Sequence, residues 1–170
     1  VTGSCSIIAG GCNNTISNGA TLSIIGGGRC NSIVATGTDH SIVGGTNNCI
    51  SGGESGPSII GGGSENVLDE SFFTFIGAGC NNTITGAESS TILAGEDNTI
   101  TSCYAGILGG GGNCVVHNYS FAMGFNLTSS AANTLHVNCL NIKSLPTSDP
   151  GIVGMLYRTG SSLDEIKVSI

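Results

Sequence analysis

The chain has 170 residues; 29 are glycine, none is tryptophan, only 9% are charged, and the formal net charge is −7. Glycine at that density without a three-residue period excludes collagen, and a hydrophobic content of 39% argues against disorder. So acidic a chain is a poor partner for phosphate backbones, which speaks against nucleic acid, and no apolar run reaches the roughly 18 residues of a membrane span.

The chain opens on Val1 and reads as a piece of something longer, without the basic-plus-apolar start of a signal peptide. Its unit is clearest at Ser23 to Ile33, SIIGGGRCNSI, and a copy returns throughout the first two thirds. Anchored on asparagine, the copies fall at Asn14, Asn31, Asn48, Asn66, Asn82, Asn98 and Asn113, separated by 17, 17, 18, 16, 16 and 15 residues. Six places before each anchor stands Ile8, Ile25, Ile42, Ile60, Ile76, Ile92 or Ile107. Two places after it stands Ile16, Ile33, Ile50, Leu68, Ile84, Ile100 or Val115. Three places before it is always glycine: Gly11, Gly28, Gly45, Gly63, Gly79, Gly95 and Gly110. Fixed periods of this length are the mark of a solenoid.

Each copy predicts one coil. Residues around the first aliphatic alternate as a strand does, which turns that column inward. The obligatory glycine marks a turn with positive φ or with no room for a Cβ. A second short strand then carries the anchor asparagine and the second aliphatic inward. Stacked asparagines can bond to one another and to the turn, which gives them a structural role. The expected fold is therefore all-β, a β-helix or β-roll of about seven coils of 15–18 residues, on the order of 34 Å long at about 4.8 Å per coil.

A rod this thin buries little. The residue before the inward isoleucine points outward, yet it reads Ile7, Ile24, Ser41, Ile59, Phe75, Thr91 and Gly106, and Val43, Leu93 and Leu108 add to the same face where that column is polar or bare. An apolar stripe along a rod marks packing against further copies, with Ile7, Ile24, Ile59 and Phe75 as the oligomer face and a homotrimer as the expected assembly. Between copies, Thr36 to His40, Ser51 to Pro57, Asp69 to Phe73 and Thr85 to Ser89 hold most of the acids and the length differences, and read as surface loops.

After Val116 the pattern fades. Ser120 to Thr128 reads as one atypical closing coil, Thr134 to Ile142 as extended chain, and Leu145 to Gly151 as a turn-rich linker. Met155 to Arg158 and Glu165 to Ile170 flank a Thr-Gly-Ser-Ser turn and suggest a hairpin. The expected domains are a rod over 1–130 and a linker with hairpin over 131–170.

The Ser-Ile-Ile-Gly-Gly-Gly and Asn-x-Ile repeats, with SFAMG at Ser120 to Gly124, resemble the stacked coils in head domains of trimeric autotransporter adhesins. The stretch from Thr134 to Ile170, with its Ser-Asp-Pro-Gly turn before a Leu-Tyr strand, is similar to the ends of virion and phage tail-fibre proteins. The resemblance implies a trimeric fibre that attaches a particle to a surface. It also implies contact with other virion proteins and with a host receptor or glycan, and a place on the virion as an extracellular appendage. A surface adhesin of the autotransporter kind is the first alternative.

Signs of chemistry are thin. The eight cysteines are scattered over the columns and read as free thiols. Cys114 with His117, and His136 with Cys139, have ligand-like spacing, but Cys114 falls in a column otherwise filled by Thr, Ser, Val and Cys, so no metal is expected. Glu65 and Asp97 share a column about 10 Å apart, near the separation in inverting glycosidases, yet lack a neighbouring base or aromatic platform. Asn13, Asn81, Asn118 and Asn126 sit in N-x-S/T triplets that Asn-rich repeats generate freely. No nucleophile elbow, P-loop or dinucleotide fingerprint is present. The expectation is a non-enzymatic fibre without cofactor. A polysaccharide-cleaving spike and an ice-binding solenoid remain as alternatives, the latter against a threonine column (Thr15, Ser32, Cys49, Val67, Thr83, Thr99, Cys114) broken by other residues.

Overall fold

The computed structural model describes residues 1–17, 19–141, 146, 156–158 and 166–168. It divides into two compact units, Val1–Asn138 and Cys139–Ile170. The first is an all-β solenoid of about eight turns, and no helix occurs among the described residues.

Each turn contributes one rung to a nine-stranded parallel sheet, in chain order Ile7–Ile8, Ile24–Ile25, Ser41–Ile42, Ile59–Ile60, Phe75–Ile76, Thr91–Ile92, Gly106–Gly111, Phe121–Phe125 and Leu135–Val137. The register is like on like: Ile8 with Ile25, Ile60 with Ile76, Ile92 with Ile107. A second sheet of seven parallel strands runs from Thr15–Ile16 to Cys114–Val115 and stacks Ile16, Ile33, Ile50, Leu68, Ile84, Ile100 and Val115. Between the sheets, single bridges join Cys12, Arg29, Thr46, Ser64, Cys80, Glu96 and Gly111 up the corner.

The two aliphatic columns form one core. Thirteen of the fourteen residues are at most 1% exposed; Ile8 is half-buried because no rung of the sheet lies beyond it.

A third wall corrects the loop reading. Ala20–Thr21, Thr36–Thr38 and Glu54–Ser55 pair in parallel, and Phe72 bridges Glu88 further up. Segments 36–40 and 51–57 therefore carry backbone ladders, and Ser71, Ala87 and Ser102 are buried along the same wall. The physical reason is that a two-sided coil leaves its return stretch with unpaired amides, and stacking on the turn below satisfies them.

The stack also continues past residue 130, because Leu135–Val137 pairs with Phe121–Phe125 as a ninth rung where extended linker was expected. In the second unit, Leu156–Arg158 and Ile166–Val168 pair antiparallel, Leu156 opposite Val168. The turn between them and most of the expected linker, including Leu145, lie outside the described residues.

Candidate functional site

Asparagine holds the inner corner. Asn31 Nδ2 donates to Gly27 O at 3.0 Å and to Gly45 O at 2.9 Å, while its Oδ1 accepts from the backbone N of Asn48 at 3.0 Å and from Asn48 Nδ2 at 3.2 Å. The same linkage passes through Asn48, Asn66, Asn82 and Asn98 to Asn113, whose Oδ1 takes the N–H of Leu127 at 3.1 Å. Five of these residues are 0% exposed and Asn113 is 1% exposed, whereas Asn14, on the lowest rung, is half-buried. Such a column is costly to bury unless every amide is bonded, and here the bonds tie adjacent turns together.

The glycine column is explained by position 28. Its φ is +90°, and a Cβ there would lie 2.1 Å from Gly45 O and 2.7 Å from Asn31 Nδ2. Side chain and asparagine ladder cannot coexist. Two places on, the residue before the anchor is also left-handed: Asn13, Cys30, Asn47, Glu65, Asn81 and Asp97 have φ of 55–58°.

A second corner was not anticipated. Cys5, Leu22, Asp39, Phe73, Ser89, Tyr104, Tyr119 and Asn133 have φ of 51–64°, and the next residue in each turn points inward. That inner column reads Ser6, Ser23, His40, Ser58, Thr74, Ser90, Ala105, Ser120 and Thr134, buried from Ser23 to Ser120. Ser90 Oγ donates to Ser102 O at 2.9 Å and accepts from Ala105 N at 3.0 Å; Ser120 Oγ donates to Ala131 O at 2.8 Å. It is a second polar ladder, built from hydroxyls. The only signal in the sequence is a small polar residue two places before five of the seven inward aliphatics, with His40 and Ala105 at the other two. His40 stands in it with its pKa lowered, chiefly by burial.

Outside, the predicted oligomer face is exposed along one edge of the nine-stranded sheet: Ile7 57%, Ile24 47%, Ile59 42% and Phe75 37%. Val43, Leu93, Leu108, Phe121, Met123 and Leu135 are exposed on the same face. No Asp, Glu, Lys, Arg or His occupies any outward position of its nine rungs. A second exposed group lies at the hydroxyl corner, where Phe73 is 63% exposed and the rings of Tyr104 and Tyr119 stack 5.0 Å apart at 4°. Glu88 stands beside Tyr104; its charge and its hydrogen bond raise the phenol's pKa.

The ligand-like spacings do not converge. His117 Nδ1 bonds Ser129 Oγ at 3.0 Å, and His136 Nε2 bonds Thr134 Oγ1 at 2.6 Å. No group of three or more Cys, His, Asp or Glu that could hold a metal ion occurs among the described residues. All eight thiols are free, Cys49 with its pKa raised mainly by burial. Asp97 Oδ1 accepts from Asn81 Nδ2 at 2.7 Å, so the residue between the two candidate acids engages one of them. A shallow cleft of about 470 Å³ at the glycine corner is lined by Gly79, Cys80, Gly95, Glu96, Gly110 and Phe125, and Glu96 is its one carboxylate. Among the described residues no helix is long and apolar enough to cross a membrane.

No family model matches the chain, and no curated protein matches it either.

Proposed function

We propose that the chain is a structural and adhesive segment of a virion fibre, three copies of which pack side by side along their uncharged faces. The observation that carries this reading is the strip of exposed isoleucine, valine, leucine and phenylalanine, free of any ionised group, along one side of an acidic rod. A monomer has no use for so long an apolar strip in water. Turns joined by parallel ladders and two internal polar columns supply stiffness. The stacked tyrosines, Phe73 and Glu88 remain outward for contact with a surface receptor or glycan. No step of this role needs turnover, metal or cofactor.

The test is the mass of the assembly in solution by light scattering across a dilution series. A species of three chains that persists on dilution supports the fibre, whereas a monomer at every concentration removes the reason for the strip and the reading with it.

A further inference from the structure

The outward face of the nine-stranded sheet is uneven in an ordered way. Each rung has two outward positions on either side of the inward residue, and in the first six rungs one is large and the other small. The pairs are Ile7 with Ala9, Ile24 with Gly26, Ser41 with Val43, Ile59 with Gly61, Phe75 with Gly77, and Thr91 with Leu93. The large residue stands first in rungs one, two, four and five, and second in rungs three and six. In the seventh rung a register shift interrupts the ladder, so the order is read over the first six; Gly77 and Gly106 each lie against a ring of their own chain, Phe75 and Phe121.

Resting on the side-by-side fibre reading, we infer that the copies are parallel and unstaggered, each rung meeting the same rung of its neighbour. Rotation about an axis along the rod sets the first outward position of one chain against the second of the next at equal height. Ile24 then faces Gly26, Val43 faces Ser41, Phe75 faces Gly77 and Leu93 faces Thr91, so large meets small at all six heights. A slip of one turn sets Ile24 on Val43 and Phe75 on Leu93 and leaves Ser41 opposite Gly61, which replaces close packing by collisions and a void. An antiparallel arrangement about the middle rung sets Phe75 on its own copy, Gly77 on Gly77, Ile24 on Phe121 and Val43 on Leu108, so large meets large and small meets small. Charge points to the same occupant. Chains of net charge −7 repel, and the face without an ionised group is where two of them approach at least cost.

The experiment uses the full chain with its native cysteines replaced by serine. Chains carrying Thr91→Cys are co-expressed with differently tagged chains carrying Leu93→Cys, and a mild oxidant is added, so that only thiols close enough for a direct disulfide are joined. The mixed cross-linked product is expected here and expected to fall to background when the second chain carries Leu108→Cys, one rung away. Ser41→Cys with Val43→Cys repeats the same-rung test lower in the stack, should the upper variants fail to fold. A globular tag on the N-terminus, imaged by electron microscopy, is expected at one end of every particle. Trimers with tags at both ends, or with the Leu108→Cys product dominant, overturn the register and leave the fibre reading standing. Monomers overturn both.

Discussion

Replacing Asn82 by leucine removes an amide that bonds Asn66 Oδ1 and Gly95 O and accepts from Asn98. Each buried group left without a partner costs about 1–3 kcal/mol, so a loss of about 3 kcal/mol is expected in a denaturant melt. Adjacent glycines separate conformation from space. At Gly63, with φ of +86°, a Cβ would lie 2.1 Å from Gly79 O, so Gly63→Ala is expected to unfold the rod locally, with a clear fall in melting temperature. At Gly62 nothing lies within 4 Å, and Ala78 and Ala94 fill that column in later turns, so Gly62→Ala is expected to be neutral or to stabilise by about 0.4–1 kcal/mol. His40 makes stability depend on pH. Its folded pKa lies below the usual 6.5, so below that pH the unfolded chain takes up the proton first. Stability is intact above about 6.5 and falls as the pH drops from there towards the folded pKa. His40→Ser, the column's commonest occupant, is expected to flatten that part of a melting-temperature profile. Asparagine and glycine announce their columns in the sequence because a single residue type fills each one. The hydroxyl column is harder to see because Ser, Thr, His and Ala all fill it, so a constant spacing of eight residues to the anchor is not matched by a constant residue type.

The strands themselves are only two or three residues long in most turns, too short for any to persist alone; they exist because the turns above and below complete them. Truncation of Ile84 to alanine is therefore felt across three turns. A loss of about 2–5 kcal/mol is expected by denaturant titration, against less than about 1 kcal/mol for Thr83→Ala, whose side chain is directed outward. The two sheets that carry the core were legible from the aliphatic spacing alone. The third wall was not, because its strands lie in the segments whose lengths differ, where period counting fails and acids suggest a loop. The ninth rung escaped for a related reason. Its inward residue is His136 and not an aliphatic, so Leu135–Val137 keeps the geometry of the repeat without its composition.

For the assembled molecule, covering a half-exposed isoleucine or phenylalanine contributes roughly 1 kcal/mol per side chain, and the strip repeats that contribution turn after turn. Placing a carboxylate there opposes it twice, by desolvation and by repulsion between acidic chains. Phe75→Glu is accordingly expected to shift the solution mass to that of a single chain while the circular dichroism of the rod persists. Because the assembled chains share the sign of their charge, raising the salt from low to physiological ionic strength is expected to tighten the association, seen as a lower dissociation midpoint on dilution. Fold class was open to reading from the repeat. The number of copies was not, because a single chain's sequence records what its outer face is made of and leaves the count of neighbours to geometry.

The first and last rungs of the stack, Ile7–Ile8 and Leu135–Val137, lie at its opposite ends, with every other rung between them in chain order. A force applied between those ends pulls along the ladders and loads one interface at a time, so an isolated chain should peel open from a tip. Each detached turn of 15–18 residues pays out about 50–60 Å of slack, giving a regular sawtooth in an optical-trap record. Bundled neighbours would brace that tip, and the same tether would then rupture later and in larger jumps.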